Sequence, residues 1–180
     1  MTQFKLKPFV PNKAIKSVTG QISSVLNQKT YSLSLSFNVA GNIESLKLPK
    51  AVDQPHREDE LWNATCFELF LSRDNLPRYH EFNYSPSGHW QSYSFIQYRA
   101  GKNECKHLTL IKSHLKKESN TLRINLELAY ASHDIVTHNM KIGISCILQD
   151  LSGAYHYYSL GHALKADFHN KRFHLLNLIS

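Results

Sequence analysis

A strict alternation of apolar and polar residues constrains this chain more than any other feature. In "TYSLSLSFNVAG" (30 to 41) Tyr31, Leu33, Leu35, Phe37 and Val39 share one parity and mostly serines the other. Successive side chains of an extended strand point to opposite faces, so this segment must have one dry side and one wet side. "HLTLIKSHL" (107 to 115) and "NTLRINLELAY" (120 to 130) repeat the pattern, and the polar "KKESN" between them predicts a hairpin. "MKIGISCILQDLSGAYHYYSLGH" (140 to 162) adds two strands around Asp150, Ser152 and Gly153, and "RFHLLNL" (172 to 178) is expected to close the chain as a strand. Only "DELWNATC" (59 to 66) and "YASHDIVTHN" (130 to 139) suit a helical turn. About ten strands result, and the expected fold is an all-β antiparallel β-sandwich of the jelly-roll or immunoglobulin-like kind. Its core would take Leu33, Leu35, Phe37, Phe67, Leu69, Phe82, Leu122, Ile124, Leu126, Leu128 and Ile144.

With 180 residues, 42% of them hydrophobic, the chain can bury a core as one folded domain over 1 to 180. The formal net charge is +7, but the lysines are dispersed apart from "LIKSHLKK" (110 to 117) and no arginine-rich arm is present. Nucleic acid is therefore a disfavoured partner. Cys66, Cys105 and Cys146 are odd in number and far apart, and two of them sit in apolar runs. Unpaired thiols in a reducing compartment are expected. The first residues carry no apolar stretch of signal type, and no run of about twenty apolar residues could span a bilayer. The expectation is a soluble cytoplasmic protein without membrane contact.

The segment "RYHEFNYSPSGHWQSYSF" (78 to 95) reads as a hairpin that carries more polar chemistry than alternation requires. With "SPSG" as a four-residue turn, Tyr84 pairs with His89, Asn83 with Trp90, Phe82 with Gln91 and Glu81 with Ser92. Phe82, Tyr84, Tyr93 and Phe95 then share the core side, and Glu81, Asn83 and Trp90 share the other with Ser92 and Ser94. A bulge at Gly88 would reverse the parity of the second strand. In "CFELFL" (66 to 71) Glu68 joins the polar face if the two strands are neighbours. Two carboxylates, an amide and a tryptophan suit a sugar, whose CH faces stack on an aromatic ring and whose hydroxyls satisfy the polar groups. The same residues would equally serve as solvated groups with Trp90 covering the sandwich edge, and spacing does not choose between the two.

"DELWNATCFELFL", "YHEFNYSPSGHWQSYSFIQYR" and "SLGHALKADFHNKRFHLLNL" together resemble the blocks of bacterial DOMON-like proteins, related to family 9 carbohydrate-binding modules, from about residue 57 to the C-terminus. The resemblance implies a β-sandwich whose relatives bind sugars or, in a redox branch, haem. It implies that Trp90 forms one wall of a sugar site and Trp62 or Tyr158 the other, with Arg99 a further polar contact, although the pairing above gives Arg99 core-side parity near a strand end. Two departures stand out: Tyr158 where the family commonly has tryptophan, and Asn170 where it has histidine.

Other chemistries are less well supplied. Haem would need axial ligands from Met1, Met140 or the eleven histidines, and no C-x-x-C-H motif is present. His162, Asp167 and His169 offer zinc donors, but at irregular spacing without a second pair. Glu68 and Glu81 could form the acid pair of a glycosidase, yet a shallow sheet face offers no device for raising one pKa. The expectation is a small-molecule binder for a saccharide, without a cofactor.

Overall fold

The computed structural model describes residues 1–27, 30–131 and 140–177. The strands are β1 (Thr2–Pro8), β2 (Ile15–Asn27), β3 (Thr30–Gly41), β4 (Cys66–Arg73), β5 (Tyr79–Tyr84), β6 (Trp90–Phe95), β7 (Asn103–Glu104), β8 (Leu108–Lys117), β9 (Thr121–Ala131), β10 (Met140–Gln149), β11 (Tyr155–Ser159) and β12 (Leu176–Asn177). Helix is confined, among these residues, to short 3-10 turns at Ile43–Ser45, Leu61–Asn63 and Lys171–Phe173. None of the described helical segments is long and apolar enough to cross a membrane.

All pairings between these strands are antiparallel, and the strand order is β7-β6-β5-β4-β10-β11-β1-β2-β3-β9-β8, with β12 beside the start of β10. The sheet doubles back at β1: Thr2 to Leu6 pair with β2, whereas Lys7 and Pro8 pair with β11. One layer is thus β1-β2-β3-β9-β8 and the other β7-β6-β5-β4-β10-β11, as expected of a sandwich. In the first layer Leu33, Leu35, Phe37 and Val39 stand opposite Leu128, Leu126, Ile124 and Leu122. Each of these large side chains is buried, and removing one from water is worth about 1.5–3 kcal/mol. Phe37 meets Phe67 of the second layer with ring centroids 4.9 Å apart. Every residue assigned inward from alternation is buried.

The structure departs from expectation in three places. Twelve strands lie among the described residues, because the first 27 supply β1 and β2. Alternation is weak in β2 where Phe4 crosses Gly20, at which a Cβ would stand 2.5 Å from the phenyl ring and 1.9 Å from the Ser36 carbonyl oxygen. "RFHLLNL" is largely not a strand, since Asn170 Oδ1 accepts the Arg172 N–H and opens the 3-10 turn there. The second helical candidate falls mainly on 132–139, outside the described residues.

The third departure is the register of the β5–β6 hairpin. Ser85 N–H donates to the His89 carbonyl (2.9 Å) and Gly88 N–H to the Ser85 carbonyl (2.9 Å), with Gly88 at φ +100°. The loop between the paired Tyr84 and Trp90 is thus the five residues Ser85 to His89 with a glycine bulge, one residue longer than the four-residue "SPSG" turn. Tyr84 therefore pairs with Trp90, Asn83 with Gln91 and Glu81 with Tyr93. A shift of one residue exchanges the two faces of β6. Trp90 goes to the core side, where it stacks on Phe82 (5.9 Å), and Tyr93 and Phe95 go to the outer face.

The outer face of the second layer is covered by the chain after β11. His174 is buried over Gly143 of β10, its Nδ1 is 2.7 Å from Ser72 Oγ and its Nε2 is 3.2 Å from the Phe168 carbonyl. A Cβ at Gly143 would stand 2.3 Å from the imidazole. Gly143→Ala is expected to dislodge His174 and cost about 1–3 kcal/mol of stability, read from urea denaturation, with the β-type circular dichroism spectrum retained.

Candidate functional site

Alternation on the central strands of the second layer sends Glu68 and Phe70 of β4, Tyr79, Glu81 and Asn83 of β5, Tyr93 and Phe95 of β6, Ser145 and Ile147 of β10 and Tyr157 of β11 to one outer face. Phe70, Tyr79, Tyr93 and Phe95 form a second apolar cluster there, and Trp62 and Phe168 pack against it. A cleft of about 310 Å³ opens over this face. Its lining includes Trp62, Glu68, Glu81, Phe95, Arg99, Lys102, Tyr157, Phe168 and His169.

The two carboxylates lie at its base, 3% and 4% exposed. Ser145 Oγ donates to Glu68 Oε2 (2.7 Å), and Asn83 Nδ2 donates to Glu81 Oε1 (2.7 Å). Asn83 Oδ1 is buried and has no partner among the described residues. Burial pushes both carboxyl groups upward, and the charge of Glu81 raises Glu68 further. The Asn83 hydrogen bond and the charges of Lys102 and Arg99 restrain the rise at Glu81. Both acids are thereby raised toward neutrality, where the protonated form of each gains weight.

His169 completes the base. Tyr79 Oη accepts the Arg99 N–H (3.1 Å) and lies 2.7 Å from His169 Nδ1, so its own proton serves that nitrogen. The His169 Nε2–H then faces Glu81 Oε2 at 3.8 Å. Burial pulls the His169 pKa down to about 4, so this contact is between a neutral imidazole and an acid, not an ion pair.

The rim is built from two turns. Leu61–Asn63 carries Trp62 and is pinned by Tyr93 Oη donating to Asp59 (2.5 Å) and Tyr155 Oη donating to the Asn63 carbonyl (2.9 Å). The turn after β6 holds Arg99 at φ +52°, a left-handed conformation that L residues adopt rarely. Its guanidinium reaches Asp167 Oδ1 (2.9 Å), and Tyr98 Oη donates to Asp167 Oδ2 (2.6 Å). Glu60, just before Trp62, is the other described residue besides glycine with positive φ, at +61°. Both strained positions flank the cleft, a distribution typical of binding sites. Lys102 Nζ lies 5.0 Å from the Trp62 ring and 4.6 Å from the Tyr93 ring.

Of the residues singled out in the sequence, Trp62, Glu68, Glu81 and Arg99 meet in the cleft, and Asn83 supports Glu81 from the sheet. Arg99 lies in a turn beyond the strand, so strand parity does not govern it. Trp90 is on the opposite face of β6, where Arg57 stacks over its ring at 4.1 Å and donates to Gln91 Oε1 (2.8 Å). Tyr158 is a core residue, and the adjacent Tyr157 lines the cleft instead. The expectation of a shallow face unable to raise a carboxyl pKa is also corrected: the covering segments make a cleft, and burial raises both acids. His162, Asp167 and His169 do not converge as metal donors; His162 Nε2 is 2.7 Å from the Lys7 carbonyl, while the other two serve Arg99 and Tyr79. Met140 lies in the core, away from any haem-ligating role in the cleft. Phe95, Lys102, Tyr157, Phe168 and His169 were not assigned to a sugar site from the sequence, and the glycine of "SPSGH" was the one available signal for Phe95.

No known family profile matches the chain, and no curated protein is similar to it in sequence. Solved structures do share its fold. A Bacteroides uniformis protein, provisionally described as carbohydrate-binding, superposes with a TM-score of 0.60 at 14% identity over 96% of this chain and 83% of its own. A family 9 carbohydrate-binding module from Caldicellulosiruptor kristjanssonii in complex with cellotriose has a TM-score of 0.45 at 12% identity, covering 86% of this chain and 72% of its own. The same kind of module in complex with glucose gives 0.44 at 12% identity over 85% and 73%. At these identities the likeness is one of fold.

The buried groups give opposite pH dependences. The acids are raised above their ordinary value, so the folded state holds more protons than the unfolded chain, and stability falls as pH rises from about 4.3 through neutrality. His169 and His174 are lowered to about 4, so they remove stability as pH falls below about 6.5. Glu68→Gln is expected to raise unfolding free energy at pH 8 by on the order of 1–2 kcal/mol or more, with the gain vanishing below about pH 4, measured by chemical denaturation at pH 8 and pH 4.

Proposed function

We propose that the cleft on the outer face of the second layer binds a saccharide without cleaving it, and that the chain is a cytoplasmic DOMON-like relative of the family 9 carbohydrate-binding modules. The observation that carries this reading is the buried Glu68–Glu81 pair beneath walls made by Trp62, Phe95, Tyr157 and Phe168. Sugar CH faces pack against the rings, and the hydroxyls meet two carboxyl groups whose pKa values burial raises. A carboxyl donates when protonated and accepts when ionised, so acids raised toward neutrality can meet a hydroxyl in either role. Arg99 and Lys102 supply further donors at the rim. A volume of about 310 Å³ is at the small end for ligand sites and suits one or two sugar rings. The Bacteroides uniformis protein, provisionally described as carbohydrate-binding, offers the same scaffold.

Raised carboxyl pKa values also suit acid–base chemistry, which keeps a glycosidase-like reading in view. Glycoside cleavage places its two acids on either side of the scissile bond. Here both project from neighbouring strands of one wall, which favours holding a ring over cutting between two.

Glucose, galactose, N-acetylglucosamine and their disaccharides, screened by thermal shift and then by calorimetry, test the reading. Loss of the Trp62 ring should cost on the order of 0.5–1.5 kcal/mol of binding beyond its buried area, and Glu81→Gln should weaken binding by a similar amount or more. Trp90→Ala should lower stability and leave affinity unchanged. Affinity that follows Trp90 and ignores Trp62 and Glu81 would place the site elsewhere, and turnover of chromogenic glycosides would establish the enzymatic reading instead.

A further inference from the structure

Away from the cleft, a second constellation lies where the chain before the Trp62 turn crosses the β5–β6 loop. Residues 56–58 are extended and run parallel to the start of β6 through a bridge between Arg57 and Trp90. Trp90 N–H donates to the His56 carbonyl (3.2 Å) and Glu58 N–H to the Trp90 carbonyl (3.0 Å). Side chains two apart on an extended segment share a face, so His56 and Glu58 project together while Arg57 turns to the Trp90 ring. His89, the residue before Trp90, reaches the same side. Its ring centroid is 4.1 Å from that of His56, and its Nε2 is 3.1 Å from Glu58 Oε2. One donor atom from each of the three lies within 4.8 Å of the others.

The surroundings of the two imidazoles say more than proximity does. His56 Nδ1 is 3.1 Å from the Gln54 carbonyl, so a proton on Nδ1 is held there and the Nε2 lone pair is left available as a ligand. His89 Nδ1 is 3.3 Å from both the N–H and the carbonyl of His56. The ring therefore fits in either tautomer without moving. Accepting the N–H leaves Nε2–H for Glu58; donating to the carbonyl frees Nε2 as a ligand. Metal-bound histidines characteristically give their other N–H to a backbone carbonyl, and both rings have one in reach.

We propose that His56, Glu58 and His89 form a three-ligand site for a divalent transition-metal ion of the zinc type, with its fourth position open. Two imidazole nitrogens and one carboxylate suit zinc, whereas calcium and magnesium require shells of oxygen. Zinc bonds of about 2.0–2.1 Å in a tetrahedron place ligand atoms about 3.3 Å apart, close to the present His89–Glu58 separation. His56 and Glu58 are exposed, so the small shifts that close the remaining distance displace no core side chain. A bound ion would tie residues 52–58 to the hairpin loop, adding to the hydrogen bond from Val52 N–H to the Ser87 carbonyl (3.0 Å).

The test is calorimetric titration of tag-free, chelator-treated protein with zinc chloride, with magnesium and calcium chlorides as comparisons. Wild type should take up one equivalent of zinc at this site, and His56→Ala and Glu58→Gln should each weaken it at least about tenfold. Both side chains are exposed, so circular dichroism should show an unchanged fold. The double variant His56→Ala/His89→Ala should lose that equivalent, while His107→Ala, outside the cluster, should retain it. Absence of zinc uptake by wild type, or wild-type uptake by the cluster variants, overturns the site. Calcium or magnesium binding as tightly, and lost in the same variants, overturns the assignment to a transition metal.

Discussion

The strand on which the rest of the structure depends is β4, which is buried on both faces from Cys66 to Ser72. Its inner parity, Phe67, Leu69 and Leu71, meets the opposite layer through contacts such as Phe67 on Phe37. Its outer parity carries Glu68 and Phe70, and a carboxylate cannot be left dry without partners. The neighbouring strands supply them: Ser145 bonds Glu68 directly, and Asn83 bonds the second acid beside it. The polar base of the cleft is thus a consequence of placing an acid on a doubly covered strand.

What covers that strand is mostly aromatic. Phe70, Tyr79, Phe95 and His169 pack edge to face or in parallel, with Tyr79 and Phe95 stacked at 4.7 Å and 5°. These rings exclude water, which is why the carboxyl groups rise and the imidazoles fall in pKa. Neutral His169 and His174 tolerate the apolar surroundings because each finds a hydrogen-bond partner, the first in Tyr79 and the second in Ser72. The rings of β4, β5 and β6 together with the segment after β11 therefore stabilise the fold and create an electrostatically unusual cavity through what they leave beneath them.

Alternation alone was enough to recover the sandwich class, and with the polar "KKESN" the β8–β9 hairpin, together with the inward residues of β3, β4 and β9, because a half-buried strand writes its two environments directly into a period of two. It also brought Glu68 and Glu81 to one face, since both lie on strands without bulges. Trp90 and Phe95 could not be assigned in the same way. A single residue in the Ser85–His89 loop decides which of them faces the cleft, and Gly88 is compatible with either loop. Tyr157 and Tyr158 pose the same problem one position apart. The walls of the cleft lay further still from the pattern: Trp62, Phe168 and His169 come from turns and irregular chain, which have no period, and they reach β5 only because tertiary packing folds those segments across the sheet.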